Sequence, residues 1–267
     1  MKTFRFLGMA LLAVVMCVNF AACSSDDDEI IKDDDGVITS EKRLVEMKEA
    51  YDDKDDVHVD IMTFSYDSKG KLITVVQKCS DDNSNDITNI TWGENTVTES
   101  RDGESITYSL TDGLARTGSE TDGDNCSFAY NSSKQLTTYQ YGDKYDTTTR
   151  TLIWDNGKVT KMDYDKESSE IITYGNETCK GYFPLMVAMI EDDFKVMLAH
   201  PELVGMRTTQ LPKQSTYKEG NYEETATFTY KLDKDGYLES CTANNIEKDG
   251  SGGITDTYTI TYTFKWE

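Results

Sequence analysis

The chain has 267 residues, with 49 Asp and Glu against 27 Lys and Arg, which gives a formal net charge of −22 at pH 7. So large an excess of negative charge argues against nucleic acid as a partner, because phosphate binding depends on Lys and Arg side chains that release counterions. It also opposes direct electrostatic binding to an anionic membrane surface, and it favours solubility.

Residues 1–22 are predicted to be a lipoprotein signal peptide. Lys2 and Arg5 form a basic start, and an almost wholly apolar run of about fifteen residues follows from Phe6 to Phe20, shorter than the roughly twenty that a membrane-spanning helix needs. Two alanines then precede Cys23, as at the cleavage site of a secretory signal. The pattern resembles a bacterial lipoprotein signal, in which the chain is cut before the cysteine. We therefore predict that the thiol of Cys23 carries lipid.

Residues 23–40 are predicted to be an acidic tether. The run after the cysteine consists of Ser24, Ser25, Asp26, Asp27, Asp28 and Glu29. It resembles the export signal that sends lipoproteins of Bacteroides-like bacteria to the outer cell surface. A run of like charge is also typical of a solvated linker, and both interpretations can hold together. We predict that the protein is lipid-anchored at the outer membrane and faces the cell exterior, with a periplasm-facing position as the alternative.

Residues 41–267 are predicted to form a single β domain, because no Gly-, Pro- or Ser-rich linker divides them. The last segment shows the strand pattern most clearly. One face carries Thr255, Thr257, Thr259, Thr261 and Thr263. The other face carries Ile254, Tyr258, Ile260, Tyr262, Phe264 and Trp266, with Asp256 as the one exception. Such alternation predicts a half-buried β-strand.

A weak internal repeat indicates a meander of β-hairpins. Each copy is a strand that ends in an aromatic residue, a tight Asx or Gly turn, and a strand that begins with an aliphatic residue. The copies lie at 64–72, 128–136, 153–159 and 228–238. In the third copy, Asn156-Gly157 favours a hairpin turn because this pair accepts positive φ. We expect about twelve to sixteen strands in all.

One segment departs from this pattern. All three prolines lie in it, and they are Pro184, Pro201 and Pro212. Apolar residues recur there at helical spacing, namely Phe183, Val187, Ile190, Phe194 and Met197. A proline suits the first turn of a helix and the position just past its end. We therefore predict one amphipathic helix, an insertion at about 182–200, packed on the concave face of a large curved antiparallel β-meander in the form of a half-open barrel.

These features together resemble a known family. The lipoprotein start, the Tyr-Asp-x-x-Gly-x-Leu hairpins, the late Met/Leu helix and the Leu211-Pro212 step are similar to those of secreted Bacteroides lipoproteins of unknown function with a porin-like fold. The resemblance covers roughly residues 41–267. It implies a curved antiparallel sheet around a helix, and it implies no established activity and no catalytic residues.

The sequence contains no catalytic motif that we recognise. It lacks the Gly-x-Ser-x-Gly nucleophile motif and a phosphate-binding glycine loop. The two histidines are His58 and His200, and nothing in the sequence places them together, so we predict no metal site and no cofactor. Carboxylates are so abundant that any two could form a glycosidase pair, and the sequence cannot rank them.

Two kinds of modification are open. The thiols of Cys79, Cys126, Cys179 and Cys241 fit either buried strand residues or one to two disulfides. Asp146-Thr147-Thr148 resembles a short sequence that is glycosylated on threonine in exported Bacteroides-type proteins. Thr147 is therefore a candidate O-glycosylation residue.

We predict a non-enzymatic cell-surface lipoprotein that binds an apolar or amphipathic ligand between the sheet and the helix. One alternative is a glycan- or protein-binding module that uses the Thr/Tyr outer face, which requires clustered exposed aromatic residues. Another is a hydrolase acting on carbohydrate, which requires two convergent carboxylates in a cleft, one of them with a raised pKa.

Overall fold

The computed structural model describes residues 31–32, 38–39, 41–53, 56–80, 85–191 and 194–267. The predicted signal peptide, the predicted lipidation residue Cys23 and the predicted export signal from Ser24 to Glu29 lie outside these residues. Within the described part of the chain, no helix is long and apolar enough to cross a membrane.

Antiparallel strands make up most of the fold. β1 (Ile31–Lys32) and β2 (Ile38–Thr39) form a separate two-stranded sheet, and the next sixteen strands form one closed barrel. The barrel strands are β3 (Leu44–Asp53), β4 (Asp56–Tyr66), β5 (Leu72–Cys79), β6 (Asn85–Trp92), β7 (Thr96–Arg101), β8 (Glu104–Thr111), β9 (Leu114–Glu120), β10 (Asn125–Tyr130), β11 (Leu136–Gly142), β12 (Thr147–Asp155), β13 (Lys158–Asp163), β14 (Ser168–Thr178), β15 (Gln210–Glu219), β16 (Tyr222–Leu232), β17 (Leu238–Lys248) and β18 (Ile254–Trp266).

The barrel closes where its first and last strands meet. β3 pairs with β18 from Leu44 opposite Trp266 to Asp52 opposite Thr259, and the other neighbours in the wall are consecutive in the chain. The prediction of an antiparallel β-meander is confirmed, whereas the prediction of a half-open barrel is wrong. Closure is favoured because it pairs the backbone groups of two edge strands that an open sheet would leave exposed.

Strand alternation separates an apolar interior from a polar exterior. On β18, Tyr262, Phe264 and Trp266 are buried, while Thr263 and Lys265 between them are exposed. The predicted period of two is therefore confirmed for the last five residues of the strand, whereas Ile254, predicted on the same apolar face, is 65% exposed. The inward side chains supply the barrel wall's share of the hydrophobic core.

Seven hairpins are tied by the same hydrogen bond at one end of the barrel, which we name the plug end. An aromatic residue near the end of an even-numbered strand donates its hydroxyl or indole hydrogen to a main-chain carbonyl near the start of the preceding strand. The pairs are Tyr66 with Leu44, Trp92 with Leu72, Tyr130 with Ala115, Trp154 with Leu136, Tyr174 with Val159, Tyr230 with Pro212 and Trp266 with Leu238, at 2.6–2.8 Å. Each bond satisfies a main-chain carbonyl at the plug end of the wall.

The turns at this end use the side chain that the internal repeat places there. The Oδ1 atom of Asp67 accepts hydrogen bonds from the main-chain N–H groups of Lys69 and Lys71, at 2.8 and 2.9 Å. Asn131 and Asp233 make the same pair of bonds in their own turns. The Asx turns predicted from the repeat are therefore confirmed.

The predicted single amphipathic helix at 182–200 is wrong. The segment contains α1 (Leu185–Ala188), α2 (Lys195–Ala199) and a 3-10 helix (Pro201–Val204). All four residues of α1 are buried, so the apolar residues at helical spacing belong to a run that is buried on every side rather than to one apolar stripe. At the end of α2, His200 leaves the helical region, as the residue before a proline tends to do.

The helical segment fills the inside of the barrel, and we name it the plug (182–191 and 194–206). Phe194 is buried among three rings of the barrel wall, those of Tyr108, Phe128 and Tyr139, with ring centroids 6.4, 5.8 and 5.0 Å away. Aromatic contacts at these distances add to the stabilisation from burial. The plug and the wall therefore form one hydrophobic core.

Side chains and main chain of the wall complete the ends of the plug helices. The main-chain N–H of Val196, in the first turn of α2, donates to Oε1 of Glu99 on β7 at 2.8 Å, and this carboxylate acts as the helix cap. After the 3-10 helix, Gly205 has a φ of 62°, and a β-carbon there would collide with the carbonyl of Lys134. Glycine is required at this position because the backbone is left-handed and crowded.

The four cysteines of the domain are buried, and none of them is in a disulfide. The structure thus selects the first of the two states that the sequence left open. Burial raises the pKa of Cys126, Cys179 and Cys241 to about 12. These thiols stay protonated at neutral pH and pack as small apolar groups.

Candidate functional site

A cavity of about 360 Å³ lies between the plug and the wall formed by β14 to β18. Its volume falls in the range of small-molecule sites. The cavity reaches the end of the barrel opposite the plug end, where β15 turns into β16 and β17 into β18, and we name this the cavity end.

The cavity exists because inward positions of the wall carry small side chains. Ala226 and Ala243 point inward on adjacent strands, where the neighbouring inward positions hold Phe228 and Tyr262. The plug supplies the opposing apolar surface, which consists of Phe183, Leu185, Ala188, Met189 and Ile190. An apolar wall of this kind releases free energy when it covers an apolar ligand.

A row of four acids and one tyrosine crosses the wall at the cavity end. Successive register partners from β14 to β18 are Glu170, Tyr217, Glu224, Glu247 and Asp256. Like charges in adjacent strands destabilise a sheet unless other groups offset them. The hydroxyls around the acids provide part of that compensation.

Glu170 is buried and holds two hydroxyls. The Tyr164 hydroxyl donates to its Oε2 atom at 2.5 Å, and Ser215 makes a second side-chain hydrogen bond. Burial raises the pKa of Glu170 above its ordinary value, against the lowering effect of these two bonds. The carboxyl group is therefore easier to protonate than a surface glutamate.

Glu224 on β16 likewise accepts hydrogen bonds from two hydroxyl groups. Tyr258 donates to its Oε1 atom and Tyr222 to its Oε2 atom. Burial raises the pKa of Glu224, and the nearby charge of Glu247 adds to the rise, while the two tyrosines oppose it. Glu170 and Glu224 both line the cavity, and the charge of Glu224 raises the pKa of Glu170 further.

Among the described residues that line the cavity, Arg150 is the one arginine, and it is neutralised by a partner on the plug. Nη1 of Arg150 lies 3.1 Å from Oε2 of Glu191, and its guanidinium stands 5.7 Å from the ring of Tyr164. Its Nε atom is buried and has no hydrogen-bond partner among the described residues. With this arginine paired, the acids leave the polar part of the cavity negative or neutral rather than positive.

The residues singled out from the sequence lie elsewhere. Thr147, the candidate O-glycosylation residue, is exposed at the start of β12 and donates its hydroxyl to the Asp143 carbonyl at 3.1 Å. His200 lies at the plug end against the rings of Tyr66 and Trp92. His58 lies near the opposite end on β4, so the two histidines do not share a site.

Sequence reasoning missed the residues that form the polar part of the cavity, above all Glu170, Glu224 and Arg150. One signal was available, since Asp256 interrupts the apolar face of β18 and belongs to the acidic row. The alternation of β16 also places Glu224 on the inward face with Ala226 and Phe228. The convergence of separate strands could not be read from the sequence.

The fold has a solved counterpart. A porin-like protein from Bacteroides uniformis superposes with a TM-score of 0.67 at 20% sequence identity, over 84% of this chain and 96% of that chain. At this level of identity the likeness shows the fold alone. No family model matches the sequence, and no curated protein matches it.

Proposed function

We propose that the protein is a non-enzymatic binding protein whose cavity holds a small amphipathic molecule. The observation that carries this proposal is the cavity of about 360 Å³ between the plug and β14–β18. Apolar plug residues would cover the body of the ligand, and Glu170 and Glu224 would receive its polar end. Burying a polar end is favourable only where hydrogen-bonding partners await it.

The charge of the cavity sharpens the ligand class. Arg150 is paired with Glu191, so an anionic head group would meet Glu170 and Glu224, and no other cation lines the cavity among the described residues. An ammonium or hydroxyl head group would donate hydrogen bonds to these carboxylates. We therefore propose a cationic or neutral amphiphile rather than a fatty acid.

We also propose that the protein works at the outer membrane, anchored by lipid on Cys23 and facing the cell exterior. Support comes from the sequence of residues 1–29 and from the threonine and lysine side chains on the outer face of β18, which suit a barrel surrounded by water. Metabolic labelling with a fatty-acid analogue tests the anchor. Labelling of wild-type protein and none of Cys23→Ala is expected, and labelling of both would contradict it.

The ligand proposal is tested with three probes of equal chain length, octylamine, octanol and octanoate. Calorimetric titration should show the tightest binding for the amine and the weakest for the carboxylate. Ala226→Leu fills the cavity and should weaken amine binding by at least about tenfold, which corresponds to about 1.4 kcal/mol. Thr227→Leu, at the exposed neighbouring position, is the matched control and should bind as wild type. The proposed ligand class would be excluded if octanoate bound most tightly. The cavity would be excluded as the binding site if Ala226→Leu bound octylamine as tightly as wild type.

A hydrolase acting on carbohydrate is the second candidate, and the Glu170–Glu224 pair is the observation that favours it. Both carboxyl groups line one cavity, and burial raises the pKa of each. A glycosidase needs one such group as its general acid. Aryl glycosides screened against wild type, Glu170→Gln and Glu224→Gln test this candidate. Hydrolysis that is lost in both variants would establish it, and no hydrolysis by wild type would leave the binding proposal.

A further inference from the structure

A second cluster of polar side chains lies inside the barrel wall, two strands away from β18. His58 and Asp60 alternate on β4 and so point to the same face, and Asp60 is the register partner of Cys79, the last residue of β5. One ligand atom from each of the three lies within 4.8 Å of the other two. Asp60 and Cys79 are buried, and His58 is half-buried.

The three side chains converge on a single ring nitrogen. Nε2 of His58 lies 3.1 Å from Sγ of Cys79 and 3.2 Å from Oδ2 of Asp60. A Cys–His–Asp relay for nucleophilic catalysis uses the two ring nitrogens separately, one for the thiol and the other for the carboxylate. Here the sulfur of Cys79 is nearer to Nε2, the nitrogen that also faces the carboxylate, than to Nδ1, which is 3.6 Å away, so three electron-pair donors surround one point. A cation at that point would satisfy all three.

The carboxylate provides an independent indication. Oδ1 of Asp60 is buried and has no hydrogen-bond partner in the described part of the chain, although the residue is only 5% exposed. An unsatisfied buried carboxylate oxygen is costly unless a positive charge compensates it. The location therefore favours a cation over an empty interior.

The donor set selects the kind of metal. Imidazole nitrogen, thiolate sulfur and carboxylate oxygen together are the ligands of Zn²⁺, whereas Ca²⁺ and Mg²⁺ prefer oxygen alone. With metal–ligand distances of about 2.0–2.3 Å, a tetrahedral site separates its ligand atoms by about 3.3–3.7 Å. The separations of Sγ and Oδ2 from Nε2, 3.1 and 3.2 Å, are slightly shorter than this range, and all three ligand atoms lie within 4.8 Å of one another.

We propose that His58, Asp60 and Cys79 form a zinc site with three protein ligands, which leaves one coordination position for water or an external ligand. Three protein ligands with an exchangeable fourth is the arrangement of zinc sites that bind or activate small molecules. The site faces the barrel interior near the cavity end. Tyr51 stands between it and the cavity, as the register partner of His58 and a ring neighbour of Tyr258, 5.1 Å away.

Cobalt titration of the purified, metal-free protein tests the site, because Co²⁺ replaces Zn²⁺ and a thiolate ligand gives an intense charge-transfer absorption. The wild-type protein should show this absorption, saturate with one ion per chain, and lose it on addition of Zn²⁺. Cys79→Ser should abolish the absorption. Asp60→Asn and His58→Gln should lower the affinity by at least about 100-fold, since loss of an outer-shell partner alone costs 10–100-fold.

Cys241→Ser is the matched control, because Cys241 is a buried thiol on β17 and the variant should keep the absorption. If wild-type protein binds cobalt without the charge-transfer absorption, the ions are bound only by surface carboxylates. This result would overturn the proposal regardless of the results with the variants. Absorption that persists in Cys79→Ser would also overturn it. Circular dichroism shows whether each variant is folded. If Cys79→Ser is unfolded, the cobalt affinity of Asp60→Asn becomes the test of the site.

Discussion

At the plug end, aromatic side chains donate hydrogen bonds to main-chain carbonyls, whereas at the cavity end tyrosine hydroxyls donate to carboxylates. The first arrangement recurs in seven hairpins, and each bond joins two neighbouring strands. The second brings together side chains from β14, β16 and β18 and the β13–β14 turn. The comparison shows that the two ends of one barrel can differ in their effect on stability. Hydrogen bonds at the plug end stabilise the fold, whereas the buried carboxylates at the cavity end cost free energy of folding.

The two sets of hydrogen bonds also differ in the free-energy cost of burying their polar groups. A neutral donor that meets a buried carbonyl satisfies two groups at once and leaves no charge. A buried carboxylate must either stay protonated or lose solvation. We therefore expect substitutions at the plug end to destabilise the protein and substitutions of the cavity acids to change its pH dependence.

The largest effect is expected from Phe194→Ala. This residue is fully buried at the centre of the ring cluster with Tyr108, Phe128 and Tyr139, so its removal leaves a large void and should lower the free energy of unfolding by about 3–5 kcal/mol. Urea denaturation measures the change. Tyr145→Ala, at a position 83% exposed, is the control and should lie within about 0.5 kcal/mol of wild type. Equal losses in both variants would refute a central role for the plug.

A smaller loss is expected from Tyr66→Phe. The substitution removes only the hydroxyl that donates to the Leu44 carbonyl at 2.7 Å, and leaving that carbonyl unsatisfied should cost about 1–3 kcal/mol. The same measurement on Tyr145→Phe should show no change. If Tyr66→Phe is as stable as wild type, the repeated hydrogen bond contributes nothing to the plug end.

Glu170→Gln should alter how stability depends on pH. Burial raises the folded-state pKa of Glu170, so its favourable contribution is complete below the unfolded-state pKa and is lost as pH rises through the folded-state pKa. The loss amounts to about 1.4 kcal/mol for each unit by which the two values differ. Denaturation from acid to neutral pH should therefore show a shallower decline for Glu170→Gln than for wild type. Parallel curves would contradict the raised pKa.

The smallest effect is expected from Asp67→Asn at the plug end. Asn131 makes the same two main-chain hydrogen bonds in the equivalent turn, so an amide oxygen can replace the carboxylate there. We expect a change in unfolding free energy of less than about 0.5 kcal/mol. Asp67→Ala, which has no acceptor, should be the less stable of the two, and the reverse order would contradict the turn assignment.

The parts of the fold that could be predicted are those that depend on neighbours in the chain. The alternation in β18, the turn at Asp67 and the aromatic residue before it all occur within single hairpins. The closed barrel depends on β3 meeting β18, and a pattern within each strand does not say whether the outer strands pair. The plug was misread because helical spacing selected some residues from a segment that is buried throughout.

The candidate sites could not be predicted for the same reason. Glu170 and Glu224 are two acids among 49, and only the register of β14 to β16 brings them into one cavity. His58 and Asp60 share a strand face in the sequence itself, but the pairing with Cys79 needs the alignment of β4 with β5. The sequence showed that Asp256 interrupts the apolar face of β18. Its place in a row of acids became apparent only from its pairing with the neighbouring strands.

The seam between β3 and β18 has a consequence for how the protein folds. Glu46 and Lys265 face each other across it. The two strands of the seam are therefore neighbours in space but are separated along the chain by almost the whole domain. Contacts of such long range form late and slow the folding of β proteins. Until β18 arrives, β3 offers an unpaired edge to any other chain. A chain interrupted before β18 is therefore an open sheet that is prone to aggregate, and a chaperone that covers β3 until β18 pairs would protect it.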